Sequence, residues 1–211
     1  MAALPNPSPR PGRRLALAAA LAFAALAPAT ATLAQAPPPF VQRGLPGPFH
    51  AALEPLVGDW NVDKRIFIAI GTPEKPALST GVISHRKWVG GGKHLMDLTE
   101  GQVGGEPYYR LGVMGFSNVD HRYEWVTFDA LNANQMLYYS PALKTPGGDF
   151  ELKGVFTDQG LLGEAYAGKA IPMRTVVHID GPDRHVISLY FDPPGKAEIL
   201  IDRSIYTRLK P

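Results

Sequence analysis

The run Trp60-Asn61-Val62-Asp63-Lys64-Arg65-Ile66-Phe67-Ile68-Ala69-Ile70 decides the fold. Trp60, Val62, Ile66, Ile68 and Ile70 share one parity, while Asn61, Asp63 and Arg65, with Asp59 just before them, take the other. Side chains of an extended chain point alternately to two faces, so this spacing predicts a strand with one buried and one wet face. Immediately upstream, Phe49, Leu53 and Leu56 fall at helical spacing, and Gly58 is placed to end a short helix over 49–57.

Downstream the strand texture repeats. Segments rich in Val, Ile, Tyr, Phe, Trp and Thr lie at 80–89, 94–102, 108–116, 123–129, 135–139, 150–157, 174–179, 185–191 and 198–207. Turn formers separate them, among them Gly90-Gly91-Gly92, Gly104-Gly105, Pro146-Gly147-Gly148, Gly181-Pro182-Asp183 and Pro193-Pro194-Gly195. Ile187, Leu189 and Phe191 oppose Ser188, Tyr190 and Asp192, and Ile199, Ile201 and Ile205 oppose Glu198, Asp202 and Ser204. No interval carries an amphipathic crossover helix, which argues against a parallel sheet. The chain is read as all-β, a roughly ten-stranded antiparallel up-and-down β-barrel with a short N-terminal helix. A β-sandwich competes, and short loops between sequence neighbours favour the barrel. Residues 160–172 fit a loop, an irregular strand or one helical turn.

Composition assigns the rest. The 211 residues include no cysteine, which excludes disulfides, thiolate metal sites, a cysteine nucleophile and a lipidated N-terminal cysteine. Ten of the 21 prolines precede Phe49. Among them lies an unbroken Leu/Ala/Phe run from Leu15 to Leu26, preceded by Arg10, Arg13 and Arg14, with no acidic residue before Glu54. A basic start, a short apolar run and the small residues Ala29-Thr30-Ala31 read as a signal peptide over 1–34, cleaved near Ala31 or Ala34. The run is shorter than the roughly 20 residues a bilayer span needs, so no integral span is expected after cleavage. Arg13-Arg14 follows Gly12 rather than Ser or Thr, so a general secretory signal is favoured over a twin-arginine one. Residues 35–48, with Pro37-Pro38-Pro39 and Pro46-Gly47-Pro48, read as an extended, solvated linker, and 49–211 as the barrel. The formal charge of +2 includes three arginines of the leader, so the mature chain has no basic excess to recruit nucleic acid. A periplasmic or secreted protein is expected, with a monomer favoured.

Catalytic motifs are absent: no Gly-x-Ser-x-Gly, no His-Glu-x-x-His and no phosphate loop, since Gly90-Gly91-Gly92-Lys93 sits between two strands and opens no helix. The six histidines show no zinc spacing, so no metal is expected. Aromatics lie on many strands, and one parity of a barrel faces its interior. Trp88, Tyr109, Trp125, Tyr138 and Tyr190 are therefore candidates for the lining of an apolar pocket, with Arg86 or Arg174 as an anchor for an anionic head. The partner expected is a small apolar or amphipathic molecule. Two alternatives stay open: an isomerase or hydrolase using an interior His or carboxylate, and an interaction module on a solid barrel. Asp129, at a strand end after Phe128, is read as a structural anchor for a loop.

The ordered motifs resemble a known family. They are Leu56-Val57-Gly58-Asp59-Trp60, Arg86-Lys87-Trp88-Val89-Gly90-Gly91-Gly92, Leu111-Gly112-Val113-Met114-Gly115-Phe116, Arg122-Tyr123-Glu124-Trp125, Phe128-Asp129-Ala130 and Ile205-Tyr206-Thr207-Arg208. In this order they resemble the bacterial domain-of-unknown-function family 1579, and the Gly58-x-Trp60 opening is similar to that of lipocalins and fatty-acid-binding proteins. The resemblance implies a calycin-like barrel and no established activity. It implies that Trp60, next to Gly58, closes the base and meets Arg203 or Arg208 through a cation–π contact. Likeness to haem barrels similar to nitrobindin offers His178 as a haem ligand, because Arg174, Val176 and His178 share a parity; otherwise no cofactor is expected.

Overall fold

The computed structural model describes residues 36–210; the expected leader over 1–34 and its cleavage sites lie outside the described residues. Ten strands form a closed antiparallel barrel: β1 (Gly58–Ile66), β2 (Ala77–Val89), β3 (His94–Val103), β4 (Glu106–Ser117), β5 (Arg122–Asp129), β6 (Asn132–Tyr139), β7 (Phe150–Thr157), β8 (Ala170–Gly181), β9 (Arg184–Phe191) and β10 (Ile199–Arg208). Each strand pairs with its sequence neighbours, and β1 pairs with β10 to close the wall. The weakest seam is β6–β7, where only Tyr138↔Gly154 and Tyr139↔Lys153 are in register. Among the described residues no helix is long and apolar enough to cross a membrane.

Three of the strands depart from expectation. β1 ends at Ile66 rather than at residue 70, because the chain turns through Ala69 at a left-handed φ of 59° and leaves Ile70 exposed. In β10 a register shift between Leu200 and Asp202 inverts the alternation, so Ser204 and Tyr206 are buried while Ile205 is only half-buried. β8 starts four residues earlier than expected, which shows that its buried set is Ile171, Met173, Thr175 and Val177. Residues 160–169 form a loop with one 3-10 turn, Glu164–Tyr166. The buried Asp158 carboxylate accepts the backbone N–H groups of Gly160, Leu161 and Leu162 at 2.8–3.2 Å and fixes the start of that loop.

The helix expected over 49–57 is broken into α2 (Pro48–Ala51) and a 3-10 turn, Glu54–Leu56. Pro55 has no N–H to continue the ladder. Upstream, part of the segment read as extended forms the exposed helix α1 (Pro39–Arg43), with Pro39 in its first turn, where the missing N–H costs nothing. Asn118 Nδ2 holds the following residues to the β4–β5 turn by donating to the carbonyls of Arg43 and Leu45, both at 2.8 Å.

The helical end plugs the barrel. Leu53 and Leu56 are fully buried, and Phe49 stacks on Phe116 at 4.2 Å. Trp60 is fully buried, donates its indole N–H to Leu56 O at 3.1 Å, and lies under the Arg208 guanidinium at 4.2 Å. Arg208 in turn donates to the carbonyls of Val57 (2.7 Å), Pro55 (2.9 Å) and Pro182 (2.7 Å). Gly58, at φ 119°, leaves the space that Arg208 Nη1 occupies. One latch thus joins the first strand, the last strand and the plug. Replacing Trp60 by Ala should lower the unfolding free energy by about 3–5 kcal/mol, and Gly58→Ala by about 1–3 kcal/mol. Urea unfolding followed by tryptophan fluorescence or circular dichroism measures both.

Candidate functional site: a charged cluster inside the barrel

Inward positions of β1 to β4, β9 and β10 carry charge as well as bulk. The register sets Arg86 opposite Asp97 across β2–β3, and Thr99 opposite Arg110 across β3–β4. Gly112 keeps the adjacent wall bare, and a Cβ there would meet the Trp125 indole nitrogen at 2.7 Å. Arg86, Asp97, Arg110 and His185 are each at least nine-tenths buried.

Asp97 is the hub. Its Oδ2 accepts from Arg110 Nη2 at 2.7 Å and lies 3.2 Å from Arg86 Nη2, without hydrogen-bond alignment to the latter. Its Oδ1 accepts from the Ser84 hydroxyl (2.6 Å) and the Thr99 hydroxyl (2.9 Å). Burial opposes the ionised carboxylate, but the two guanidiniums and two hydroxyls outweigh it and hold the pKa well below the usual range.

Arg86 Nη1 lies 2.5 Å from His185 Nε2. A guanidinium only donates, so Nε2 accepts and the imidazole proton sits on Nδ1. His185 stacks on Tyr206 at 4.4 Å and meets Trp60 edge-on at 4.3 Å. Burial first, and the Arg86 charge second, push its pKa down to about 2. Arg110 Nη2 also donates to the Tyr206 hydroxyl at 3.0 Å.

A second cluster lies nearer the other end. Lys64 Nζ donates to Asp202 Oδ2 at 2.5 Å and lies 5.3 Å from the Tyr108 ring centre. Burial works to lower the Lys64 pKa, yet the Asp202 carboxylate carries it above the ordinary value. Burial pushes the Tyr108 hydroxyl up to about 12. Asp129 accepts the backbone N–H groups of Leu131 and Asn132 at 2.9 and 3.0 Å, tying the β5–β6 turn, and burial raises its pKa.

The interior is largely filled. Three small voids thread it. One of about 10 Å³ is lined by Arg86, Asp97 and Trp125; one of about 20 Å³ by Arg110, Tyr138, Asp129 and Asp202. The third, about 40 Å³, sits at the end away from the plug among Ile68, Leu131, Met136, Leu161 and Asp202. The last two share Asp129, Met136, Leu189 and Asp202. Voids of this size hold one to a few waters, whereas ligand pockets start near ~300 Å³. A concavity of about 440 Å³ exists on the outer wall beside His94, Glu124 and Tyr139.

Of the expected lining residues, Arg86, Trp125 and Tyr138 face inward, the last two with rings 5.5 Å apart. Trp88 is half-buried at the rim, donating to Glu54 Oε2 at 2.7 Å. Tyr109, Arg174, His178 and Tyr190 do not line the interior. Tyr109 is 43% exposed. Arg174 pairs with Glu198 (2.7 Å) and Glu151 (3.2 Å) and covers Tyr190 at 4.3 Å on the outer wall. His178, proposed as a haem ligand, stands on that wall between Asp149 and Asp180. The reason is parity: β8 buries Ile171, Met173, Thr175 and Val177, which turns Arg174 and His178 outward, and β9 points His185, Ile187, Leu189 and Phe191 inward, which turns Tyr190 outward. The histidine inside the charged cluster is His185, and His50 is buried at the plug. His185 flanks the 180–184 turn opposite His178, a pair the sequence offers as conceivable metal or haem ligands, whereas Lys64, Asp97, Arg110 and Tyr206 carry no such signal, although Lys64 shares the parity of Trp60, Val62 and Ile66.

A family model described as a protein of unknown function, DUF1579, matches residues 45–208, and the chain belongs to this family. Comparison with curated proteins finds no match. A solved structure, "EF1p2_mFAP2b bound to DFHBI", aligns with 76% of this chain and 99% of its own length at 11% identity and a TM-score of 0.39, too remote to carry an argument.

His185 sets a pH dependence. Its folded pKa of about 2 lies below the ordinary value of 6.5, so the stability it contributes is complete above about pH 6.5 and is lost as pH falls towards 2. Below that point His185 should take up to about 1.4 kcal/mol per pH unit from the unfolding free energy, and His185→Gln should remove that share of the slope between pH 6 and ~4.5, leaving the share of His50, whose pKa burial also lowers. Urea unfolding at a series of pH values reads it. Asp97→Asn, which leaves two buried guanidiniums without a carboxylate, should cost about 3–5 kcal/mol at pH 7 in the same assay.

Proposed function

We propose that this DUF1579 protein is an exported barrel that binds one small apolar or amphipathic molecule in its interior, admitted at the end away from the helical plug. The observation that carries the reading is the buried charged cluster bordered by small voids, with a largely apolar one at the end away from the plug. Ion pairs in a barrel core are expensive to desolvate, and an apolar core of the same volume would be at least as stable. Charged groups with shifted pKa values at the inner end of a void therefore support a binding role.

Space for the ligand comes from the wall. β6 and β7 share only two register pairs, so the seam beside the mouth has few ladder bonds to break. Met136 and Leu161 line the mouth, and an unbranched methionine repacks at low cost. The ligand enters by spreading this end and displacing Leu161 with its loop. Export rests on the basic start, the apolar run from Leu15 to Leu26 and the small residues at Ala29 to Ala31.

Protein purified natively from its host and sprayed intact into a mass spectrometer should carry one small molecule, released on activation. Leu161→Trp fills the mouth, so the occupied fraction should drop about tenfold while native circular dichroism is kept and the unfolding free energy falls by no more than about 1–3 kcal/mol. Uniformly empty wild-type protein, or a fraction that Leu161→Trp leaves unchanged, contradicts the reading. N-terminal sequencing of the exported chain should begin at Thr32 or Gln35; a start at the initiator methionine in a cytoplasmic fraction contradicts export.

A further inference from the structure

Among the described residues, three buried side-chain atoms make no aligned hydrogen bond: Arg110 Nε, His185 Nδ1 and Arg86 Nη2, the last 3.2 Å from Asp97 Oδ2. All three are donors. The guanidinium nitrogens can only donate, and His185 Nδ1 carries its proton because Nε2 faces Arg86. A buried donor without an aligned acceptor is costly, and a cluster with two such donors and a third that is poorly aligned favours an acceptor as its ligand.

The charges agree. Arg86 and Arg110 share the single Asp97 carboxylate, so that cluster holds one positive charge beyond its own anion. Lys64 and Asp202 pair with each other and supply no counter-charge. His185 is neutral. Asp129, the other carboxyl facing the Arg110 void, spends Oδ1 on two backbone N–H groups and is moved towards its neutral form by burial. Each arginine lines one of the voids.

Resting on the proposal that the interior binds a small molecule, we infer that the ligand is a carboxylate-headed amphiphile whose anionic oxygens meet Arg110 and Arg86. An ammonium head would set donor against donor and cation against cation. A hydroxyl head offers lone pairs but leaves the excess charge unbalanced. Charge-assisted bonds are roughly twice as strong as neutral ones, and more so in a site without water.

Octanoate, octanol and octylamine share one tail and differ in the head. Titrated into the purified protein at pH 7.5, with binding read by calorimetry and by tryptophan fluorescence, octanoate should bind at least about tenfold tighter than octanol and about a hundredfold tighter than octylamine. Arg110→Met and Arg86→Met, checked for native circular dichroism, should each bring octanoate down to the octanol level. Equal affinity for the three heads, or preference for the amine, overturns the inference and leaves interior binding standing. No binding of any of the three up to about 1 mM, a contribution below ~4 kcal/mol, overturns both. The wild-type series decides the matter even where an arginine variant does not fold.

Discussion

A single carboxylate, Asp97, holds two guanidiniums against each other inside a closed wall. Like charges at this separation repel strongly wherever water is excluded, so the arrangement exists only because the carboxylate and its two hydroxyl donors are fixed first. From there order spreads by contact. Arg86 and Arg110 both meet Tyr206, Tyr206 stacks on His185, His185 meets the edge of Trp60, and Trp60 receives Arg208. The polar centre and the latch at the plugged end are thus one continuous contact chain.

Such a centre sits poorly with stability as its sole purpose. Leucines and phenylalanines on the same strands would fill the volume without desolvating five charges. What the charged set supplies is two fixed guanidiniums bordering small voids in a wall that is otherwise tightly packed. It also explains why the barrel is nearly solid. The long side chains of Lys64, Arg86 and Arg110 occupy the lumen themselves, with aromatic rings from Tyr108, Trp125 and Tyr206 against their cations.

All ten strands were legible because the outer wall is wet and alternation survives in most of them. The latch was legible as well, through Gly58, Trp60 and the choice between Arg203 and Arg208. Parity was lost where one-residue irregularities intervene. The shift between Leu200 and Asp202 hid Tyr206, and starting β8 at residue 174 left out Ile171 and Met173, the residues that mark the odd positions as the inward ones and so put His178 outside. The charged centre was missed for a different reason. A Lys or Arg at an inward position reads as an interruption of the apolar pattern, although extending the β1 parity through Lys64, or the β9 parity back to His185, points to both. Packing density, and hence void size, has no signature in a single sequence.

Closure by the last strand also governs the order of events in folding. Every ladder but one joins strands adjacent in sequence, so the wall can grow hairpin by hairpin. The exception is β1–β10, whose latch brings Arg208 to Val57 across 151 residues. Pairing at that separation comes late and slowly, since the loop it closes is nearly the whole domain. Until residue 208 is available, β1 and β9 both present bare edges, the arrangement that recruits other chains into a sheet. The time between synthesis and closure is therefore the interval of greatest risk for this chain, and the latch that ends it is drawn from residues at the two extremes of the barrel.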